Sequence, residues 1–303
     1  MLQVVSVSLG SARRDYRVTF SALGQQVVLE RRGTGGRVDE AERLLRELDG
    51  RVDALGLGGV NFSLRLGRSR YHLPLGRRLQ RAVRRTPLVD GEGFKDTLER
   101  DLVGFLQARL GVELRGRRAL VLSALDRFGL AEALAQAGAR LMVGDPLFAL
   151  GLPLPFGSLQ SFALAGRVAL PLLRRLPLGW LYPLGRRQEV RRPRFAWAFE
   201  RAQVVAGDFH LLWRYAPSRL DGKVVITSGL DRAEAEELGR QGAALVVSSS
   251  PELGGRASSA NAVEAVLVAL GARPGGGGAG LREVWSRAGF VPWWLRFGPV
   301  CRR

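Results

Sequence analysis

The sequence predicts an α/β protein with a mixed first domain and a parallel-sheet second domain. Short apolar runs alternate with segments whose apolar residues recur at helical spacing, a pattern typical of strands that alternate with helices. With 303 residues, of which 46% are hydrophobic and 24% charged, the composition is that of a globular chain with room for two domains.

The N-terminal α/β domain is predicted to span residues 1–88. Its first three strands read VVSVSLG, YRVTFSALG and QQVVLERRG, each an apolar run bounded by polar residues or glycine. Residues 38–48 have apolar side chains at helical spacing, and VDALGLGGVNFSLRLG adds a strand and a glycine-rich bend. A basic helix is expected near residues 75–85.

The second domain is predicted over residues 89–272. Residues 94–110 form an amphipathic pattern typical of a helix. A buried strand at 118–123, a helix at 129–137 and a strand at 140–143 then follow closely. A strand, helix and strand within about thirty residues form a right-handed βαβ unit, whose two strands are parallel.

Three more short apolar strands are predicted at residues 202–206, 223–227 and 244–248, with a helical pattern at 231–241 between the last two. Added to the βαβ unit, they favour a second half of the same parallel sheet. We therefore expect a Rossmann-like architecture for this domain.

Two segments interrupt this alternation. Residues 146–187 contain five arginines and no acidic residue, and residues 273–303 join a glycine linker to an aromatic, basic tail. Prolines and arginines end every apolar run before about 18 residues, so neither is expected to span a membrane. Two interpretations stay open. The apolar side chains cover the protein's own core or a dimer partner, or residues 146–187 and 285–303 touch a membrane surface.

The formal net charge of +18 raises nucleic acid or an anionic membrane as partners. Only Lys95 and Lys223 among the 46 basic residues are lysine, and genome composition or heat adaptation also produces such an arginine bias. The charge is spread along the chain and no nucleic-acid-binding motif accompanies it, so nucleic acid is not expected as a partner.

The compartment is predicted from two negative features of the sequence. Cys301 is the single cysteine and cannot form an internal disulfide, which favours a reducing compartment. The start MLQVVSVSLG lacks the basic residues and the long apolar core of a signal peptide. We expect a cytoplasmic protein, peripheral to the membrane if its apolar segments touch lipid.

A motif resemblance covers residues 86–145. DGEGF begins at Asp90, and Leu114 and Gly116 precede the strand that includes Ala119. In order and spacing these residues resemble the quinate/shikimate 5-dehydrogenase family, where N-T-D-G-x-G-F opens a helix and an L-x-G-K segment precedes a Rossmann strand, turn and helix. The resemblance implies an NAD- or NADP-dependent oxidoreductase that transfers hydride to or from a cyclic hydroxy acid or a related alcohol.

The resemblance implies that Asp90 is a catalytic carboxylate that works with a lysine near the substrate hydroxyl. The family's lysine lies upstream in an N-V-T-x-P-x-K motif, whereas the first lysine here is Lys95, on the helix after Asp90. Arginine cannot replace a lysine as a proton shuttle because it stays protonated. Without the resemblance, Asp90 is interpreted as the cap of that helix.

The turn after the strand at 118–123 differs from the family's pattern. The family has G-A-G-G-A or similar there, because missing side chains let the backbone approach a pyrophosphate. This chain has SALDRFG, followed about 20 residues later by an acid where a ribose-binding acid would lie. The residues predicted to contact NAD or NADP are Ser123, Asp126, Arg127, Gly129 and Asp145.

The loops that follow the last three strands are predicted to meet at one edge of the sheet, where open parallel sheets bind ligands. Asp208 and His210 are the acid/base candidates outside the resemblance, and because they lie two residues apart at a strand end they are expected to share a face. A serine-rich helix start is predicted either to bind a phosphate or carboxylate or only to cap the helix. The candidates for that anion or substrate site are Thr227, Arg256, Ser258, Ser259 and Asn261. Two histidines and one cysteine predict no metal site.

Two functions therefore stay open. The first is the oxidoreductase that the resemblance implies, with a small-molecule substrate. The second is a Rossmann-like binding protein without dehydrogenase activity, associated with a membrane surface. Self-association as a homo-oligomer is compatible with either function.

Overall fold

The computed structural model describes residues 1–173, 190–274 and 278–300. Two open β-sheets, both mostly parallel, form its frame, and helices cover their faces. The α/β fold class that the sequence predicts is confirmed.

The first sheet is formed near the N-terminus. The elements of this part are β1 (Leu2–Ser8), β2 (Tyr16–Ala22), β3 (Gln25–Gly33), α1 (Val38–Leu48), β4 (Ala54–Gly58), β5 (Ser63–Leu66), β6 (Ser69–His72), α2 (Pro74–Gln80) and β7 (Leu88–Val89). The strand order is β2-β3-β1-β4-β7, and only β2 runs antiparallel to its neighbour. β5 and β6 form a separate hairpin.

The second sheet uses strands from the rest of the chain. The elements are α3 (Glu92–Asp96), α4 (Leu98–Leu110), β8 (Arg118–Val121), α5 (Phe128–Gln136), β9 (Arg140–Val143), α6 (Leu159–Leu173), α7 (Ala196–Arg201), β10 (Val204–Ala206), α8 (Phe209–Tyr215), β11 (Val224–Thr227), β12 (Leu230–Asp231), α9 (Arg232–Arg240), β13 (Leu245–Ser248), β14 (Glu252–Leu253), β15 (Arg256–Ala257), α10 (Ala260–Ala269), α11 (Gly278–Arg287) and β16 (Trp293–Arg296). A π-helical turn, Pro146–Leu150, follows β9.

The order of the second sheet is β9-β8-β10-β11-β13-β16. The first five of these strands are parallel, and β10, β11 and β13 are fully buried, as expected for a sheet covered on both faces. The direction of chain progression reverses between β8 and β10. In open parallel sheets, such a reversal marks the crevice where ligands bind.

Helix α10 returns the chain from the second sheet to the first. It packs against β4 and β1, and this contact is close because Gly56 has no side chain. A Cβ atom at Gly56 would lie 2.8 Å from the backbone oxygen of Asn261. The two sheets are therefore held side by side by a helix that follows the last parallel strand.

The aromatic segment near the C-terminus is packed into the protein. Strand β16 pairs antiparallel with β13, and the ring of Trp294 lies 5.4 Å from that of Phe105. In α11, Leu281 and Val284 are buried, and Trp285 lies against Phe94. Residues 278–296 thus contribute a helix and an edge strand.

Two local expectations are wrong. The predicted helix over residues 94–110 is broken at Thr97, whose φ of −123° and ψ of −82° separate α3 from α4. Asp208 and His210 do not share a strand face. The strand ends at Ala206, and Asp208 is already the N-cap of α8. Within the described residues, no helix has the combination of length and apolarity that crossing a bilayer requires.

Candidate ligand-binding cleft

A cavity of about 710 Å³ lies between the two sheets. Its walls include the loop after β4, the turn after β8, the loop after β10 and the start of α10. These segments follow the carboxyl ends of parallel strands or begin a helix, which are the usual positions of ligand sites in α/β proteins. The volume falls in the range of about 300–1,000 Å³ that is typical of small-molecule sites.

The cavity has a polar wall and an apolar wall. The polar wall includes Asn61, Asp90, Lys95, Asp126, Asp208 and His210. The apolar wall includes Leu64, Leu150, Phe156, Phe162 and Leu170. Much of the apolar wall comes from the π-helical turn, α6 and the loop between them, so the insertion predicted from the sequence forms one side of the cleft.

Lys95 forms a buried ion pair in the polar wall. Its Nζ donates to Asp126 Oδ1 at 2.6 Å and to Asn61 Oδ1 at 3.3 Å, and Asn61 Nδ2 donates to the same Asp126 oxygen at 2.7 Å. Burial alone lowers the pKa of Lys95, but the attraction of Asp126 outweighs it and the net pKa is raised. Burial raises the pKa of Asp126, and the cations Lys95 and Arg127 overcome this and hold it at about 2. Both groups are therefore charged at neutral pH.

Arg127 is a second buried cation, 2% exposed, behind the polar wall. It pairs through Nη1 with Glu99, and its Nη2 donates to Ser228 Oγ at 2.9 Å and lies 3.6 Å from Asp208 Oδ2. Ser249 Oγ donates to Glu99 at 2.9 Å. These contacts connect α4 with the ends of β8, β10, β11 and β13, so the arginine fixes the geometry of the cleft floor.

Asp90 holds two loops together. Its Oδ2 accepts from the backbone N–H of Phe62 at 2.5 Å, and its Oδ1 accepts from that of Glu92 at 3.1 Å. The left-handed conformation of Gly91, with φ of +87°, lets α3 begin directly after this carboxylate. Asp90 therefore makes the backbone contact of a cap and also lines the cavity beside Lys95.

Asp145 points toward the turn after β8. Its carboxylate accepts from the backbone N–H groups of Ala124 at 2.7 Å and Leu125 at 3.0 Å. Burial raises its pKa to about 7, against the lowering effect of these hydrogen bonds. In a dinucleotide-binding fold, amide groups of this turn face the pyrophosphate. Here the protein's own carboxylate occupies them.

The turn after β8 does not fit the usual grip on NAD or NADP. No glycine occurs from Leu122 to Phe128, so side chains cover the backbone that a pyrophosphate would approach. Gly129 lies in α5, where a Cβ atom would be 3.1 Å from the backbone oxygen of Lys95. Its missing side chain thus permits packing between helices. Ser123 lines the cavity together with Asp126, Arg127 and Asp145.

His210 lines the cavity as a neutral imidazole. Burial lowers its pKa to about 4, and the cation Arg14 adds to this effect while Asp208 opposes it. Arg14 Nη1 lies 3.5 Å from His210 Nδ1. Asp208 accepts from the backbone N–H of His210 at 2.8 Å. Asp208 thus orients the start of α8, and the imidazole is uncharged at neutral pH.

Only part of the serine-rich helix start lines the cavity. Ser259 Oγ donates to Asn261 Oδ1 at 2.7 Å, Asn261 Nδ2 donates to Ser6 Oγ at 2.6 Å, and both Ser259 and Asn261 line the cavity. Asn261 therefore connects α10 to β1. These two residues are the part of the predicted anion site that reaches the cleft.

The other residues predicted for the anion site lie outside the cavity wall. Arg256 pairs with Asp231 at 3.1 Å, and its guanidinium lies over the ring of Tyr16, 5.1 Å from the ring centroid. Ser258 accepts from the hydroxyl of Tyr16 at 2.9 Å. Thr227 is buried at the end of β11. The arginine of this group is thus used in contacts with its neighbouring strand β12 and with β2 of the first sheet.

Glu99 and Asn61 belong to the polar network and were not predicted from the sequence. Glu99 lies three and seven residues before Leu102 and Leu106, on the buried face of α4. An acid on the apolar face of a helix is a signal that a buried partner exists. Asn61 lies in the glycine-rich bend, where the sequence offers no comparable signal. Among the described residues, no cluster of three or more His, Cys, Asp or Glu side chains could hold a metal ion.

Two family models cover most of the chain. One, described as a domain of unknown function (DUF8754), matches residues 93–296. The chain belongs to the DUF8754 family. A second model, also described as a domain of unknown function (DUF8753), matches residues 3–90. A search of curated proteins gives no significant match.

Solved structures similar to this DUF8754 chain include enzymes and a binding protein. The L-tryptophan dehydrogenase from Nostoc punctiforme has 10% identity and a TM-score of 0.36, covering 95% of this chain and 80% of its own. The NAD-dependent malic enzyme from Thermotoga maritima has 12% identity and a TM-score of 0.34, with coverages of 95% and 72%. A galactofuranose-binding protein has 12% identity and a TM-score of 0.39, with coverages of 98% and 95%.

These structures include a dehydrogenase and an NAD-dependent malic enzyme, and none of the three is a quinate or shikimate dehydrogenase. That resemblance stays a prediction from residues 86–145. Similarity at this level does not separate a dehydrogenase from a sugar-binding protein. The geometry of the cleft is therefore the basis for a functional proposal.

Proposed function

We propose that the cleft binds a neutral, hydroxyl-bearing small molecule with an apolar body. The observation that carries this proposal is the division of the cavity into a wall of internally paired polar groups and a wall of leucine and phenylalanine side chains. A ligand that matches both walls is amphipathic. Its polar end lies near Lys95 and its apolar body lies along α6.

The pairing of charges favours a neutral polar end. Lys95 is paired with Asp126 and Arg127 with Glu99, while Asp90 and Asp145 accept backbone N–H groups. An ionic ligand would have to disrupt one of these pairs in a buried site, which is costly. A hydroxyl group both donates and accepts, so it can hydrogen-bond to the remaining lone pairs and N–H groups without displacing a partner.

Lys95 is the residue best placed to act on such a hydroxyl. An ammonium group has three donors, and the contacts to Asp126 and Asn61 use two of them. The third is available for a ligand oxygen. A cation held beside a hydroxyl stabilises negative charge that develops on its oxygen, so this wall is also compatible with acid–base chemistry at an alcohol.

The apolar wall supplies affinity without chemical selectivity. Burial of apolar surface contributes roughly 25 cal/mol per Å². Phe162 and Leu170 are buried side chains of α6 that face this space. A ligand with an alkyl or ring body along them would gain affinity in proportion to the area that it covers.

Calorimetric titration with two matched amphiphiles tests the proposal. Octyl glucoside and octyl sulfate have the same eight-carbon alkyl chain and differ in a neutral or an anionic polar end, and both are used below their micelle concentrations. We expect octyl glucoside to bind at least about tenfold more tightly, a difference of roughly 1.4 kcal/mol. Equal or tighter binding of octyl sulfate, or no binding of either, would contradict the proposal.

A matched pair of lysine variants places the binding in the cleft. Lys95→Met removes the ammonium group from the polar wall and should weaken octyl glucoside binding. Lys223→Met is the control, because Lys223 lies outside the cavity wall and its Nζ donates to the backbone oxygen of Ala202 at 2.8 Å. The control should bind like the unmodified protein. Equal effects of the two substitutions would place the ligand elsewhere.

A second candidate function is NAD(P)-dependent hydride transfer to or from a cyclic hydroxy acid. Its support is that Asp90, the carboxylate that the resemblance implies, lines the same cavity as Lys95, which lies outside the family's lysine motif. The turn after β8 opposes it, because the Asp145 carboxylate already occupies the backbone N–H groups that would face a pyrophosphate. Titration of tryptophan fluorescence with NADH and NADPH decides between the candidates. Saturable binding at micromolar concentrations would favour the dehydrogenase, and its absence would eliminate it.

A further inference from the structure

Helix α6 has two apolar faces, of which only one is covered. Phe162 and Leu170 are 7% and 4% exposed and face the cleft. Leu164, Val168 and Leu172 are 67%, 80% and 69% exposed, and their spacing of four residues places them along one side of the helix. We name these three residues the outer stripe.

Exposed apolar side chains are concentrated in the segment that carries the outer stripe. Of the eleven large apolar side chains that are exposed in the described residues, six lie between residues 150 and 172. Three of these, Leu150, Leu152 and Leu154, line the cleft, and the other three form the outer stripe on the opposite side of α6. Single exposed leucines are ordinary, whereas a cluster of this kind marks an interaction surface.

The charges around the outer stripe are basic. Arg167 is the one charged residue between positions 146 and 172, and it is exposed on α6. On this helix Arg167 is next to Val168 in the chain and three residues after Leu164. Within the described residues, the surface therefore combines leucine and valine side chains with an exposed arginine.

Charge complementarity decides what this surface meets. A second copy of the chain also has a formal net charge of +18, so two copies repel each other over long range. The surface of a bilayer that contains acidic phospholipids is negative and attracts basic side chains, while its interface accepts leucine and valine. An anionic bilayer satisfies both properties of the stripe, and a second copy satisfies only one.

We propose that the outer stripe of α6 docks on an anionic lipid bilayer. The three apolar side chains enter the interface between headgroups and acyl chains, and Arg167 meets the phosphate groups. This proposal concerns the outer face of α6 and does not depend on the identity of the cleft ligand. Docking would place the apolar wall of the cleft one helix thickness away from the lipid.

Vesicle flotation tests the docking surface. The purified chain is mixed with vesicles of phosphatidylcholine alone or of phosphatidylcholine with phosphatidylglycerol. We expect flotation with the mixed vesicles, less with the neutral ones, and a loss of binding at high salt because ionic attraction is screened. A chain that does not float with the mixed vesicles overturns the proposal.

A variant of the stripe and a matched control locate the contact. Leu164→Ser, Val168→Ser and Leu172→Ser combined should lower the partition coefficient about tenfold or more, because apolar burial supplies much of interfacial binding. Val291→Ser is the control, since Val291 is also 56% exposed but lies outside this surface. Equal flotation of the triple variant and the unmodified protein would overturn the proposal.

Light scattering separates the bilayer from a second copy. We expect the unmodified protein to be a monomer in the absence of vesicles, and circular dichroism should show that the triple variant keeps its helix content. A dimer that the triple variant dissociates would assign the stripe to an interface between copies and overturn docking on lipid.

Discussion

Lys95 and Asp126 are the residues on which the polar wall depends most. Their side chains are only 10% and 23% exposed, and each supplies the charge that makes burial of the other tolerable. Removing one partner leaves an uncompensated charge, whereas removing both leaves a neutral wall. The pair as a unit is thus expected to contribute less to the free energy of unfolding than either single substitution suggests, because each single substitution also leaves an unpaired buried charge.

Lys95→Met should lower the free energy of unfolding by about 3 kcal/mol, because it leaves the buried Asp126 carboxylate without its lysine partner. Lys95→Met combined with Asp126→Asn should recover part of this loss. Urea denaturation measures both, with Lys223→Met as the control for loss of a lysine. A double variant less stable than Lys95→Met alone would show that the ion pair does not account for the loss.

Asp145 makes the free energy of unfolding depend on pH in a direction that can be predicted. Its pKa is about 7 in the folded chain and close to 3.9 when unfolded, so the folded state binds the extra proton between these values. The contribution of Asp145 to stability is therefore fully present below about pH 4 and is lost as the pH rises through 7. Glu264, whose pKa burial also raises to about 7, acts in the same direction.

Asp145→Asn should remove the part of this dependence that belongs to Asp145. The free energy of unfolding of the unmodified protein, minus that of the variant, should fall as the pH is raised from 4 to 8, by up to about 4 kcal/mol. Denaturation curves across this range measure it. A difference that is constant with pH would show that Asp145 is ionised throughout. His210, with its lowered pKa, is present in both proteins and cancels in the comparison.

At the scale of elements, the contact between α10 and β4 holds the two sheets together. Gly56→Ala should destabilise the protein by about 1–3 kcal/mol, because the new methyl group would overlap the backbone of Asn261, which cannot move away as a side chain can. Gly104→Ala in α4 is the control. A Cβ atom there meets nothing within 4 Å.

The control should stabilise the chain by roughly 0.5–1 kcal/mol, because alanine is the better helix former. Thermal and urea unfolding measure both variants. If Gly56→Ala and Gly104→Ala have the same effect, the close approach of α10 to the first sheet is not a determinant of stability.

Helices and strands with clear apolar patterns could be predicted from the sequence. α1 covers residues 38–48 as its apolar spacing predicts, and β9 covers 140–143. The break at Thr97 and the pairing of β16 with β13 could not, because each is fixed by contacts with distant parts of the chain. Strand β16 lies in the segment that was predicted from the sequence to be a tail. It forms a strand because it pairs with β13.

The cleft could be predicted in part. Parallel strands end at a common edge, so the sequence places Ser123, Asp126 and Asp208 together, and all three line one cavity. Their chemical roles stay predictions. Asn61 and Glu99 were not predicted from the sequence, because their importance comes from partners on other elements, Lys95 and Arg127. Sequence spacing cannot show such pairs.

At the scale of the whole molecule, the two sheets form a frame with a cleft between them, and the insertion supplies the apolar side of that cleft. One helix of the insertion thus serves two surfaces. Its inner face belongs to the proposed ligand site and its outer stripe to the proposed contact with lipid. A member of the DUF8754 family with this arrangement would bind an amphipathic molecule next to a membrane.

A crystal structure of the chain with octyl glucoside tests the central claim most directly. The account predicts the glucose ring beside Lys95 and Asp126 and the alkyl chain along Phe162 and Leu170, with the ion pair intact. An alkyl chain directed toward Lys95, or density for the detergent only outside the cleft, would contradict it.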